Sequence, residues 1–366
     1  MKSVRVALAV GATVSLLAGC ARVDDSAASP FTPPPSGEFE NEGTEPPTTT
    51  PDRRKTGPCI DATPGVVTTC IEPTAGIAAL GDAESALVAE RRTGRVLMSH
   101  VSDQKAREVL KLDVDGAGDG GLLDVAPSPT FAQDELIFAY VTTGSDNRVV
   151  RVAKGDVPKP ILTGIPKGPN GNAGAIEFGP KGELYVLTGN AGDPAAAANP
   201  ASLAGKLLRI DSPRVGANPQ PRVLLSGLGT AGDVCLRGDG SAWVTDRLPT
   251  EDRLQRVNAD GRVVSPVWTW PDRPGVAGCA AGDNAVAVAL TAGRALAVLQ
   301  LDQSGAVTAQ PTLTAHEMYG QLNGASLAPD GAVWVGTVNK TGPQPGPNDD
   351  RVVRITVSPG GGGGPD

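Results

Sequence analysis

The sequence predicts an all-β fold, a six-bladed β-propeller of four-stranded antiparallel blades. Three observations carry this. Turn signals recur six times, at Gly81-Asp82, Pro127-Ser128-Pro129, Gly179-Pro180-Lys181-Gly182, Gly238-Asp239-Gly240, Gly282-Asp283-Asn284 and Pro329-Asp330-Gly331. After each comes a short apolar strand: Ala86–Ala89, Leu136–Val141, Leu184–Val186, Ala242–Val244, Val286–Val288 and Val333–Val335. A basic residue then opens a further strand, at Arg95, Arg148, Lys206, Arg253, Arg294 and Arg351. The period drifts between about 41 and 58 residues, the range of propeller blades. One blade cannot bury both of its faces, so the copies must stack around an axis and close.

The third copy is the clearest. Ala175-Ile176-Glu177-Phe178 alternates, turns at Gly179-Pro180-Lys181-Gly182 and resumes as Glu183–Thr188. After a long Asn/Asp/Pro/Ala loop it closes with Lys206–Ile210. Period-two alternation between Gly/Pro turns marks antiparallel strands. The last copy shows only three strands, and Val66-Val67-Thr68-Thr69 is the candidate fourth, latching the ring from the amino-terminal side. Composition agrees: 47 Gly and 33 Pro favour turns, and 3% aromatic residues leave the core to Val, Leu, Ile and Ala.

Four segments follow. Residues 1–19 read as an export signal, with Lys2 and Arg5 ahead of an apolar run from Val6 to Ala18 too short to span a bilayer. Leu17-Ala18-Gly19-Cys20 looks like a bacterial lipobox, which implies cleavage before Cys20 and lipid on its sulfur. Residues 20–57, rich in Pro and Thr and nearly free of apolar side chains, read as an extended, disordered tether. Residues 58–357 form the propeller and 358–366 a Gly-rich tail. Without residues 1–19 the chain keeps 30 basic against 40 acidic residues, a net of −10. That balance argues against nucleic acid and against anionic lipid surfaces. The expected location is extracytoplasmic, anchored to the plasma membrane.

An exported chain can form disulfides, and four cysteines besides Cys20 allow three pairings. Cys59 and Cys70 are close in sequence, and a bridge between them would pin the latch strand. Cys235 and Cys279 each lie three residues before a turn glycine, at equivalent positions of neighbouring blades, within disulfide reach. The alternative for that pair is two buried free thiols.

Several motifs resemble the soluble glucose/sorbosone dehydrogenase family. They are Gly120–Pro129 with Asp146–Arg151, Thr188–Pro194 with Ser202–Ile210, Thr245–Pro249, and Leu327–Gly331, so the similarity covers most of 75–357. The whole chain, lipobox and four cysteines included, is similar to envelope lipoproteins of actinobacteria. The resemblance implies a sugar-oxidising site built on pyrroloquinoline quinone (PQQ) and Ca²⁺, with a neutral His taking the hydroxyl proton. The family His position matches Gly171 here, and the Arg that follows it after three intervening residues matches Ala175. The quinone-holding Arg-Asn pair matches Gly229 and Thr230, and a further Arg pair matches Gln321 and Asn323. An anionic quinone needs cations, and these loops offer none at those places. No His lies between His100 and His316.

The expected function is therefore binding, with the family's catalysis degenerate and no cofactor. The partner is an envelope glycan, a small ligand or a protein. Ligand-channel candidates are Asn172, Asn190, Asp193, Asp233, Asp246, Arg247, Asn323 and Asn339. The alternative is an active PQQ/Ca-dependent aldose sugar dehydrogenase with a rearranged site and His316 as base. A third reading, a calcium-dependent lactonase-like hydrolase, calls on Ca²⁺ held by Asn190 and Asp193.

Overall fold

A computed structural model of the chain describes residues 58–230 and 232–357. The signal, Cys20, the tether and the Gly-rich tail lie outside the described residues. Strand β1 (Val66–Thr68) precedes blade one, which holds β2 (Thr74–Ala79), β3 (Ser85–Glu90), β4 (Arg95–His100) and β5 (Asp103–Lys111). Blade two holds β6 (Leu122–Pro127), β7 (Ile137–Thr142), β8 (Asn147–Val152) and β9 (Lys159–Ile165). Blade three holds β10 (Gly174–Phe178), β11 (Leu184–Thr188), β12 (Lys206–Ile210) and β13 (Arg222–Ser226). Blade four holds β14 (Val234–Leu236), β15 (Ala242–Arg247), β16 (Asp252–Val257) and β17 (Val263–Trp270). Blade five holds β18 (Val276–Ala281), β19 (Ala285–Leu290), β20 (Ala295–Gln300) and β21 (Thr312–Thr314). Blade six holds β22 (Leu322–Leu327), β23 (Ala332–Thr337) and β24 (Val352–Thr356).

Each blade is one four-stranded antiparallel sheet, and β1 completes blade six by pairing with β24. The latch expected from the sequence is thus in place. The first strands of successive blades touch in turn around the axis, and β22 returns to β2 to close the ring. Both disulfides form. Cys59–Cys70 sits beside β1, and Cys235–Cys279 joins the inner strands β14 and β18.

Burial follows distance from the axis. β3, β7 and β23 are buried throughout, because both faces meet neighbouring blades. The outermost β5 is mostly exposed, and the polar residues of DQKAREVLK suit it. Six apolar clusters fill the seams. Trp243 packs with Trp270 and Val288 between blades four and five, and Trp334 with Val88 and Leu97 between blades six and one. Both tryptophans occupy the same repeat position and are fully buried, as core. Truncating either to Ala would cost about 3–5 kcal/mol.

The inner strands are also stitched by side chains. Asp124 accepts from Ile176 N at 2.7 Å, Glu177 from Leu236 N at 3.0 Å, and Asp233 from Cys279 N at 2.9 Å. Ser326 accepts from Ala79 N at 3.0 Å across the closing seam. Each acceptor belongs to one blade and each donor to the next, so the polar backbone of the axial strands is satisfied between blades.

Candidate functional site

The axis is a channel with two mouths. The starts of the inner strands and the connections between blades line one mouth, a cup of about 390 Å³. The ends of the same strands line the other, a cavity of about 500 Å³. Asp124 and Asp233 line both and mark the waist. Burial, with the neighbouring Asp233 adding to it, raises the Asp124 and Glu177 carboxyls well above the ordinary range. Burial pushes Asp233 up to about 7. The lower cavity contains Asp124, Glu177, Asp233 and Asp283 and no basic side chain among its described lining.

The cup has the opposite character. Arg91 and Arg247 line it, with Asp119, Asn170, Asn323, Thr230, Thr291 and Thr341. Arg91 follows β3 and Arg247 ends β15, and the strand registers put them at one repeat position, since Ala79 faces Ala86 as Leu236 faces Ala242. Blades one and four lie opposite each other in a six-membered ring, so the two guanidinium groups approach from opposite sides. The residue before each is an acid paired onward to the next strand. Glu90 binds Arg95 at 2.6 Å, and Asp246 binds Arg253 at 3.1 Å. Arg91 Nη1 donates to the carbonyls of Gly118 and Gly120 at 3.1 and 2.7 Å. Arg247 Nε is buried with no hydrogen-bond partner.

The sequence expectations meet this geometry unevenly. Three of the eight channel candidates, Asp233, Arg247 and Asn323, line the cup. Asn323 Nδ2 donates to Thr74 O at 2.9 Å and so spans the seam between blades six and one. Asn172 is buried beneath the cup wall, its Nδ2 bound to Asp119 at 2.7 Å and to Gly168 O at 2.8 Å. Asp246 lies within β15, not on a loop, and accepts from Gly229 N at 2.8 Å. Asn339 stands in a different cavity and donates to Tyr319 O and Asp349.

Asn190 and Asp193 each have a side-chain oxygen engaged by the backbone. Asn190 Oδ1 accepts from Gly192 N, and Asp193 Oδ1 caps the short helix Pro194–Ala198 through Ala195 N and Ala196 N. No group of three or more His, Cys, Asp or Glu side chains among the described residues is placed to hold a metal. His316 is exposed in the connection between β21 and β22 and does not line the cup.

Position 171 is sealed. Gly171 has φ +70°, and a Cβ there would lie 2.5 Å from Asn190 Oδ1 and 2.6 Å from Gly192 N. Its N–H donates to Asp119 at 2.6 Å and its carbonyl accepts from Ala191 N at 2.8 Å. The 189–205 loop is pressed against it, and Lys206 holds that loop from below. The Lys206 ammonium is buried and donates to Ala197 O at 2.5 Å and Ala204 O at 2.8 Å. Burial lowers its pKa.

Arg91 is not among the residues singled out from the sequence, although a signal for it exists. The Glu90-Arg91 pair repeats as Asp246-Arg247 three blades on.

Comparison with known proteins agrees with this architecture. The glucose/sorbosone dehydrogenase family model matches residues 71–224. The PQQ-bound aldose sugar dehydrogenase of Streptomyces coelicolor is 27% identical, with a TM-score of 0.70, covering 79% of this chain and 95% of that one. A putative oxidoreductase (glucose dehydrogenase) of Thermus thermophilus is 28% identical, with a TM-score of 0.68, covering 79% and 98%. The apo-form of the soluble aldose sugar dehydrogenase of Escherichia coli shares the fold, at 18% identity and a TM-score of 0.64, over 80% and 99%. No curated protein sequence matches the chain. Residues 71–224 thus match the glucose/sorbosone dehydrogenase family model, and the fold is one shared with sugar dehydrogenase β-propellers.

Proposed function

We propose that the chain is a ligand-binding propeller that keeps the sugar dehydrogenase scaffold and has lost the oxidation. It holds a small hydrophilic molecule, or one unit of an envelope glycan, in the cup between Arg91 and Arg247. The observation that carries this reading is the sealed Gly171, at the position where the family resemblance implies the histidine base. No imidazole lines the cup among the described residues, and Asp233, the carboxyl there that burial pushes up to about 7, has its two oxygens bonded to Val234 N and Cys279 N at the waist.

The fit to PQQ and Ca²⁺ is partial. Arg91 and Arg247 are the side chains that would face an anionic quinone, but no imidazole stands beside them among the described residues. Asn190 Oδ1 and Asp193 Oδ1 already accept from backbone N–H groups. The scaffold survives such losses because blade packing does not depend on the loops.

The test is dye reduction by the purified chain with PQQ, Ca²⁺ and a panel of aldoses. No turnover is expected. Turnover that disappears in His316→Ala would overturn the binding reading in favour of a rearranged dehydrogenase. The proposal places the propeller outside the plasma membrane, on a lipid at Cys20. Radiolabelled palmitate should enter the protein and be absent from Cys20→Ala, and equal labelling of both would dismiss the anchor.

A further inference from the structure

Resting on that reading, we propose that the ligand of the cup is a sugar acid: a polyhydroxylated molecule with a single carboxylate that pairs with Arg247. The first ground is an unmatched charge. Arg247 is half-buried where it lines the cup, and its buried Nε has no hydrogen-bond partner among the described residues. Buried charges in folded proteins are paired, because desolvating an ion without a partner is strongly unfavourable. The acids that favour its charge are bonded elsewhere: Asp246 to Arg253 and Gly229 N, Asp252 to Gly275 N and Val276 N, and Asp119 to Gly171 N and Asn172 Nδ2. The missing partner is an anion from outside the chain. A planar guanidinium fork favours a carboxylate or a phosphate.

The second ground is the charge count of the cup. Arg91 and Arg247 face Asp119, the one acid of the cup outside the waist, while burial favours the protonated form of Asp124 and Asp233. With Asp233 at about 7, the surplus near neutrality is at most one positive charge, which suits a monoanion better than a tricarboxylate or a phosphate dianion.

The third ground is the remaining lining. Asn170, Asn323, Thr230, Thr291 and Thr341 make the rest of the lining polar around the arginine pair, with the hydroxyls of Thr291 and Thr341 donating to Leu322 O and Val338 O and keeping their oxygens as acceptors. No aromatic side chain lines the cup among the described residues, so it has no stacking surface for a flat ring system. A volume of about 390 Å³ lies at the small end of ligand sites. A monosaccharide acid meets all three conditions: one negative charge, several hydroxyls and no need of stacking.

Calorimetric titration of the purified full chain in detergent tests this, with glucuronate, glucose and inorganic phosphate as probes. Glucuronate should bind saturably, with glucose and phosphate weaker by at least about tenfold, which is one step of 1.4 kcal/mol. Arg247→Gln should weaken glucuronate by about tenfold or more, and Arg247→Lys, which keeps the charge and loses the fork, by less. Arg91→Gln supplies a second variant should Arg247→Gln fail to fold. Glucose binding as tightly as glucuronate would overturn the sugar-acid assignment while leaving a ligand-binding cup. Phosphate binding as tightly would overturn it in favour of a general anion site. Glucuronate affinity unchanged in the folded Arg variants would overturn it too, and no binding of any probe would remove both this inference and the function it rests on.

Discussion

Replacing Gly171 by Ala probes the seal over the would-be base position, and its cost can be worked from two parts. At φ +70° a side chain suffers the left-handed penalty, about 1–2 kcal/mol. The added Cβ would also meet Asn190 Oδ1 at 2.5 Å and the backbone nitrogen of Gly192 at 2.6 Å. Gly192 N is bound to Asn190 and cannot withdraw freely, so this crowding resembles overpacking of a core, about 1–3 kcal/mol. The total is about 2–5 kcal/mol, a large part of the roughly 5–15 kcal/mol that holds a typical domain together. Gly182→Ala is the internal control, because Gly182 has φ +80° with no atom within 4 Å. It should show only the conformational part, about 1–2 kcal/mol. Denaturant unfolding of the two variants beside the parent measures the difference. Equal losses in Gly171→Ala and Gly182→Ala would show that there is room at 171. The reasoning that a base cannot be fitted there would then be refuted.

Two further outcomes follow from the same geometry. Lys206→Met should destabilise the chain by about 1–3 kcal/mol by leaving the carbonyls of Ala197 and Ala204 unsatisfied, and urea midpoints that match the parent would contradict the loop-holding role. The waist carboxyls set a pH dependence whose sign is fixed. Asp124, Glu177 and Asp233 have raised folded values, so the folded state binds protons that the unfolded chain releases near pH 4. Their stabilising contribution is whole below that point and is lost as pH rises through the folded values, about 7 for Asp233. Acids with lowered values, such as Asp61 and Asp146, have already given their full contribution by pH 5. The melting temperature should therefore fall from pH 5 to pH 8, and Asp233→Asn should shrink that fall. A melting temperature that rises over this window would contradict the protonated waist.

The ring was legible because its signals are local. Turn glycines and alternating apolar residues sit within a few positions of one another, so six meanders, the latch at Val66–Thr68 and the core role of Trp243 and Trp334 could be read directly. The Cys235–Cys279 bridge was legible for a related reason, since two repeat-equivalent positions on adjacent inner strands must lie close. The cup was not legible in the same way. Arg91 and Arg247 meet only because blades one and four face each other, which periodicity along the chain does not express. Asn190 and Asp193 resemble metal ligands in sequence, yet each uses a side-chain oxygen, Asn190 Oδ1 and Asp193 Oδ1, in turn and cap hydrogen bonds. The stitching of Asp124, Glu177 and Asp233 to the next blade spans 46 to 59 residues, too far for any local pattern. What closes position 171 is the fold of the 189–205 loop, and that depends on a lysine buried beneath it.

The most direct measurement is a single-turnover experiment. The chain is mixed with PQQ and Ca²⁺, given an excess of glucose, and followed by the absorbance of the quinone, with the Streptomyces coelicolor aldose sugar dehydrogenase as the positive control. The expected result is a quinone that stays oxidised in this chain while it is reduced in the control. Reduction at a comparable rate in both would contradict a cup that has lost its histidine base.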